Sequence, residues 1–138
     1  MAQTQTWTNE GIEELVKLLQ GTAATKMAKI AGTTDSTACA AAVTDTYAAP
    51  ADPMCTQYGL ETVAITTVAL ATANTAGDSM DFDHIFTASN TINVSGIMVM
   101  NNETTPDVLD ISCCFNAVLA MENTDTLTID GRATIDQA

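Results

Sequence analysis

The sequence predicts a mainly β protein, an antiparallel β-sandwich of about six to eight strands with one N-terminal α-helix. Three observations favour this class. The apolar residues are largely Ala, Val, Ile, Leu and Met, with only 4% aromatics, and the β-branched ones among them, with abundant Thr, suit pleated strands. From residue 60 onward, short apolar segments alternate with turns rich in Asn, Asp and Gly. One segment alone, near the start, has helical periodicity.

At 138 residues, the chain has the length of a single domain spanning 1–138. A polar leader is expected over residues 1–8, the helix over 9–20 and the sandwich over 26–138. Residues 35–59 hold two of the three prolines and many small side chains, which predicts a long loop within the sandwich.

The predicted helix has recognisable start and stop signals. Thr8 or Asn9 serves as N-cap, nearby glutamates complement the helix dipole, and Gly21 ends the helix. Apolar residues at i, i+3, i+4 and i+7 form one stripe: Ile12, Leu15, Val16 and Leu19.

Strands follow in order. A short strand over 26–34 runs into a Gly turn, and further strands are expected within 60–73, 78–88, 91–100, 107–121 and 125–136. Strict alternation in the strand at 91–100 places Ile92, Val94, Gly96, Met98 and Met100 on one parity. Gly96 marks a bulge or a close backbone approach, and the methionines fill gaps in the core.

Charge excludes several functions. The formal net charge is −13, and only four residues are Lys or Arg. Such a surface repels phosphate, so neither nucleic acid nor an anionic membrane is an expected partner. No apolar run is long enough to cross a bilayer, and the first residues do not have the pattern of a secretory signal, which predicts synthesis in the cytoplasm.

Catalytic motifs are also missing. No phosphate loop, GxSxG, HExxH or dinucleotide fingerprint occurs, which predicts a protein that is not an enzyme and needs no cofactor. The only histidine, His84, shares a strand face with Phe82 and Phe86 while Asp81 and Asp83 take the other. It is interpreted as a hydrogen-bonded, partly buried side chain.

The segment "DSMDFD" offers three candidate cation ligands: Asp78, Asp81 and Asp83. Carboxylate oxygens suit Ca²⁺, but their spacing does not match an EF-hand loop. The default interpretation is therefore solvated carboxylates, and no metal site is predicted.

The four cysteines contain no CxxC pair, which argues against zinc. Cys113 and Cys114 are adjacent in a strand and should point to opposite faces, one into the core and one towards a neighbouring element. A Cys39–Cys55 bridge would staple the loop region, while free thiols are the alternative in a reducing cytosol.

Two segments resemble small virion structural proteins of tailed bacterial and archaeal viruses. "TNEGIEELVKLLQG" followed by "KMAKIAGTT" is similar to their helix, short strand and small-residue turn. "IFTASNTINVSGIMVMNN" and "LDISCCFNAVLAMENTDTLTIDGRATID" are similar to their later strands. The resemblance covers residues 8–34 and 84–136.

The resemblance implies a β-sandwich component of the virion exterior with no catalytic residues, made in the host cytoplasm. Capsid decoration or vertex proteins are favoured over tail, fibre or baseplate components. The implied partners are further copies of the chain and other virion proteins such as the major capsid protein. Candidate docking residues are Lys17, Lys26 and Lys29, whose charge suits an acidic neighbour, and Trp7.

The alternative from another class is a carbohydrate- or cell-surface-binding β-sandwich module. Such a module needs exposed aromatic rings to stack on sugars. Trp7, Tyr47 and Tyr58 are the candidates, and all three lie in the predicted leader and loop.

Overall fold

A computed structural model of the protein describes residues 4–21, 27–34, 39–50, 52–72, 76–101 and 109–134. These residues form one helix and eight strands: β1 (Thr4–Trp7), α1 (Asn9–Leu19), β2 (Met27–Thr33), β3 (Val63–Ala64), β4 (Thr67–Thr72), β5 (Ala76–Thr87), β6 (Ile92–Asn101), β7 (Leu109–Met121) and β8 (Thr126–Thr134). The predicted class, a mainly β protein with two antiparallel sheets and one N-terminal helix, is confirmed.

The strands form two sheets, and every pairing is antiparallel. The larger sheet has the order β1-β7-β6-β2-β3, and the smaller has the order β4-β5-β8. Side chains of both sheets share one buried cluster, in which Ile30, Val99 and Ile111 of the larger sheet join Phe82 and Phe86 of the smaller. The two sheets therefore pack as a sandwich.

The larger sheet is also covered on its outer face. Met98, Met100 and Leu109 form a second buried cluster, against which Tyr47 and Met54 pack. Because one face of β6 meets the smaller sheet and the other meets the segments around Tyr47 and Met54, β6 is buried continuously from Val94 onward. This double burial explains why its sequence is an apolar run rather than an alternation.

The predicted parity of β6 is wrong beyond Val94. The register with β7 shifts between Val94 and Gly96, so Val94, Ile97 and Val99 face the shared core. Met98 faces the outer cluster. A Cβ at Gly96 would lie 3.2 Å from the Cys113 carbonyl carbon and closer still to its oxygen. Gly96 is thus both the bulge and the close approach that the sequence predicted as alternatives.

Two further boundaries differ from the prediction. Residues 4–7 of the predicted leader form β1, which pairs with β7 from Thr4↔Cys114 to Trp7↔Ile111. Gly32 lies inside β2 rather than in a turn, where its amide donates to the Leu60 carbonyl at 2.9 Å. Both differences arise from hydrogen bonding between segments far apart in the chain. Local turn and polarity signals in the sequence do not encode such pairing. The described part of the predicted loop at 35–59 contains isolated bridges such as Thr33↔Met54 but no named strand.

Candidate functional site

Helix α1 begins and ends as its sequence predicts. Thr8 is the N-cap: its side chain accepts a hydrogen bond from the Gly11 amide at 3.1 Å and donates to the Leu109 carbonyl of β7. Gly21 follows the helix in the left-handed conformation, with φ +68°. The cap is fully buried, so the same residue both starts the helix and anchors it to the larger sheet.

The face of α1 that packs on the larger sheet is not the apolar face that the sequence predicts. Its buried residues are Gly11 and Glu14, whereas Ile12 is 49% exposed, Val16 46% and Leu19 85%. These three apolar residues, called here the α1 stripe, follow one ridge of the helix at i, i+4 and i+7. The predicted residues therefore do align along one side of the helix, but most of them face solvent rather than the sheet. Leu15, the fourth predicted member, is half-buried.

Besides Leu18 of α1, which is 49% exposed, one further exposed apolar side chain lies near the start of the stripe. Val43 is 52% exposed, and its carbonyl accepts a hydrogen bond from the Asn9 amide at 2.8 Å. This bond fixes the segment at 39–50 beside the first turn of α1. The apolar surface thus extends from the helix onto the neighbouring segment.

Between the helix and the sheet lies an acidic cluster of Glu10, Glu14 and Asp110, in which Glu14 and Asp110 are buried and Glu10 is half-buried. A Glu10 oxygen accepts from the amides of Tyr47 and Leu109, both at 3.1 Å. Glu14 pairs with the ammonium group of Lys17 at 2.8 Å. The cluster ties α1 both to the sheet and to the segment of residues 39–50 and 52–54, called here the covering segment.

Asp110, on the sheet side of this acidic cluster, has a raised pKa. It is only 2% exposed, and its Oδ2 has no hydrogen-bond partner among the described residues. Burial, followed by the charges of Glu14 and Glu10, raises the pKa of Asp110 to about 7. The arrangement can therefore bind or release a proton near neutral pH at the α1–β7 contact.

The predicted docking residues lie on separate elements. Lys17 bonds to Glu14 at 2.8 Å and Glu13 at 3.2 Å, and these two bonds, in that order, raise its pKa. Lys29 is half-buried on β2, and Trp7 packs at the margin of the shared core. Lys26 lies outside the described residues. Lys17 is thus already engaged by its own helix.

The candidate cation ligands of "DSMDFD" have different surroundings. Asp81 receives two hydrogen bonds from the Arg132 guanidinium, at 2.6 and 2.9 Å, which holds the pKa of that carboxyl below its usual value. Asp83 is exposed and is paired in register with Asp130. The side chain of Asp78 lies outside the described residues. The Asp81 carboxylate therefore serves an ion pair across β5 and β8.

His84 has the environment that the sequence predicts. Its Nδ1 is 2.9 Å from the Thr66 hydroxyl, and its ring meets Phe86 edge-on with centroids 4.5 Å apart. The imidazole is partly buried, and this burial lowers its pKa. These contacts fit a packed, hydrogen-bonded histidine.

The disulfide differs from the predicted Cys39–Cys55 bridge. Cys39 is bonded to Cys114, with Cα atoms 5.2 Å apart, and Cys55 and Cys113 are free and buried. Cys113 lies in the shared core, so the adjacent cysteines do point to opposite faces as predicted. Burial raises the pKa of both free thiols, that of Cys55 to about 11 with a further contribution from Glu61.

A cleft of about 430 Å³ opens between the two sheets, lined by Phe82, Ile97, Cys113, Phe115 and Arg132 among others. Half of its ten lining residues belong to the shared core, and the other half includes Gln5, Thr128, Asp130 and the Arg132 that pairs with Asp81. The aromatic residues considered for sugar stacking, Trp7, Tyr47 and Tyr58, are all half-buried.

The acidic cluster and the orientation of α1 are the features that sequence reasoning missed. One signal existed: Gly11 and Glu14, three residues apart, share the helix face opposite the stripe. A glycine inside a short helix indicates close backbone approach on that face. That signal was weaker than the apolar periodicity.

These observations define the class as a two-sheet antiparallel β-sandwich with an outer helix whose apolar ridge is exposed. Comparisons with protein-family models, with curated proteins and with solved structures found no match. In the described part of the chain, no helix has the length and apolar character needed to cross a membrane.

Proposed function

We propose that this chain is a non-enzymatic structural protein of a tailed-virus particle, a capsid decoration or vertex component that forms a symmetric homo-oligomer on the particle exterior. The observation that carries the proposal is the outward-facing α1 stripe of Ile12, Val16 and Leu19. The virion assignment itself draws on the resemblance of residues 8–34 and 84–136 to small virion proteins.

The stripe supports assembly because its exposure is unfavourable in an isolated chain. Burying a large aliphatic side chain stabilises by roughly 1.5–3 kcal/mol, and contiguous apolar patches on soluble proteins commonly mark interaction sites. The helix cannot simply roll to bury its stripe, because Gly11 and the Thr8 cap fix its other face on β7. We therefore expect the α1 stripe to be buried by contact with a second molecule.

The charge of the chain sets the conditions for assembly. Copies that each carry a net charge of −13 repel one another, so contact between copies must rely on apolar burial. Added salt screens the repulsion but leaves the apolar contact intact. Association should therefore strengthen with ionic strength, whereas docking through Lys17 or Lys29 would weaken.

Native mass measurement of the purified chain tests this, at low and high salt and over a range of concentrations. We expect a discrete oligomer, favoured by salt, and a monomer for the Ile12→Gln/Val16→Gln variant, since Gln keeps helix propensity but removes the apolar surface. Ile85→Thr is the matched control, because Ile85 is 60% exposed on β5, away from α1. A chain that stays monomeric at all concentrations, or a stripe variant that assembles normally, would contradict the proposal.

Location on a particle needs a separate experiment. Gold-labelled antibodies against the chain, applied to intact particles purified from the source of the sequence, should decorate the capsid exterior. Labelling confined to tails would instead favour a tail or fibre component. Absence of the chain from purified particles would overturn the virion assignment while leaving the assembly measurement unaffected.

A further inference from the structure

Three potential metal ligands converge where the covering segment meets the outer face of β7. The Sγ atoms of Cys39 and Cys114 and a carboxylate oxygen of Asp52 all lie within 4.8 Å of one another. Asp52 is 1% exposed and Cys114 8%, while Cys39 is half-buried. In the described part of the chain this is the only such convergence of His, Cys, Asp or Glu side chains.

We propose that the reduced protein binds one Zn²⁺ ion through Cys39, Cys114 and Asp52, so that the same position holds either a disulfide or a metal. Two thiolates and a carboxylate are ligands that Zn²⁺ accepts. At a Zn–S distance of about 2.3 Å, two sulfurs in a tetrahedral site lie about 3.8 Å apart. To bind the ion, the sulfurs must separate from bonding distance to that spacing, and a carboxylate oxygen of Asp52 already lies within 4.8 Å of both.

Backbone amides already orient two of the three ligands. The Ala40 amide donates to Asp52 Oδ2 at 2.8 Å, and the Ala41 amide donates to Cys114 Sγ at 3.3 Å. Both donors point at atoms that carry negative charge in a metal complex, and such bonds favour the charged form. Successive residues of one segment therefore hold the carboxylate and one sulfur in place.

The change between the two states balances as a thiol–disulfide exchange. A dithiol reductant gives two electrons and two protons to the Cys39–Cys114 bond, becomes a disulfide itself and leaves two protein thiols. Zn²⁺ then displaces one proton from each thiol as the two Zn–S bonds form. The other thiols, Cys55 and Cys113, are buried elsewhere, and Cys113 lies on the opposite face of β7.

The sequence could not point to this site. The two cysteines are 75 residues apart, they form no CxxC motif, and Asp52 stands in the loop region without a nearby His. The pairing of β7 with β1 and β6 and the path of the covering segment bring them together.

Co²⁺ serves as a spectroscopic probe for the Zn²⁺ site. The protein carrying Cys55→Ala and Cys113→Ala is reduced with a phosphine, stripped of metal and titrated with Co²⁺. We expect near-ultraviolet thiolate charge-transfer bands that saturate at one equivalent and disappear when Zn²⁺ is added. Asp52→Asn, which keeps an oxygen for the Ala40 amide, should weaken the apparent affinity at least about tenfold.

A second measurement guards against loss of folding on reduction. Zn²⁺ should raise the melting temperature of the reduced wild-type chain and leave that of the oxidised chain unchanged. Absence of both the bands and the melting shift would overturn the proposal. Bands of equal affinity in the Asp52→Asn variant would overturn the three-ligand site.

Discussion

Gly11 of α1 lies directly against the backbone of Asp110 in β7: a Cβ at position 11 would stand 2.6 Å from the Asp110 Cα. This contact sets which face of the helix meets the sheet. With Gly11 and Glu14 turned inward, Ile12 and Val16 must turn outward, because they lie on the opposite side of the helix. The exposed stripe thus follows from the inward placement of Gly11 and Glu14.

Replacing this glycine should separate the helix from the sheet. Gly11→Ala forces backbone atoms of β7 to move, and we expect the free energy of unfolding, measured by urea denaturation, to fall by about 2–3 kcal/mol. Gly21→Ala is the matched control: its Cβ meets no atom within 4 Å, and only the left-handed backbone costs about 1 kcal/mol. Equal losses in the two variants would show that the Gly11 contact is unimportant.

Asp110 should make stability depend on pH. Its folded pKa of about 7 exceeds the unfolded value of about 3.9, so the folded state binds more protons between these values. Burial of the Asp110 carboxyl therefore destabilises the fold little near pH 4, increasingly as the pH rises, and by its full amount above pH 7.

Removing the Asp110 carboxylate tests this dependence. Asp110→Asn should stabilise the fold at pH 8 by an amount on the order of 2–4 kcal/mol, and the gain should shrink steadily towards pH 4. Urea denaturation across this range measures the difference from the wild type, with Asp83→Asn as an exposed control. A gain independent of pH would rule out titration of Asp110 as its source.

The Cys39–Cys114 disulfide closes a long loop and should stabilise accordingly. With a sequence separation of 75 residues, the chain-entropy model gives about 4 kcal/mol. Cys39→Ser should therefore lower the urea midpoint strongly in the oxidised protein, and reductant should have little further effect on that variant. Cys55→Ala, in which no disulfide is lost, is the control.

Thiol labelling checks the disulfide connectivity directly. Alkylation of the denatured, unreduced chain should modify two cysteines, Cys55 and Cys113, and all four should react after reduction. Labelling of Cys39 without reductant would contradict the assigned bridge.

His84 can be observed alone, because it is the only histidine in the chain. Burial lowers its pKa below 6.5, and NMR titration of the imidazole should show a midpoint under that value. Because the pKa of His84 is lower in the folded than in the unfolded chain, the unfolded chain binds the proton more readily. The free energy of unfolding should therefore decrease as the pH falls below 6.5. The same titration of the urea-unfolded chain is the control, and a higher midpoint in the folded chain would contradict this.

Much of the architecture could be predicted from the sequence because its signals are local. Turn residues bounded the strands, Thr8 and Gly21 bounded the helix, and the alternation of Phe82, His84 and Phe86 correctly placed two rings in the core and the imidazole beside them. The opposite orientations of Cys113 and Cys114 follow from the strand period alone.

The candidate site depended on information that local patterns do not contain. Apolar periodicity identifies a helix face but not which face meets the sheet, and here a glycine and a buried glutamate decided that. A bulge at Gly96 reversed the parity of β6, since one displaced register flips every later side chain.

The sequence by itself determined the β class and the helix with its ends. Only the tertiary structure decided that Cys114 reaches Cys39 and Asp52, that Asp110 is buried beneath Glu10 and Glu14, and that the α1 stripe faces outward. The physical reason is that these features arise from contacts between residues far apart in the chain. Strand pairing and close packing, rather than the properties of each segment, fix such contacts.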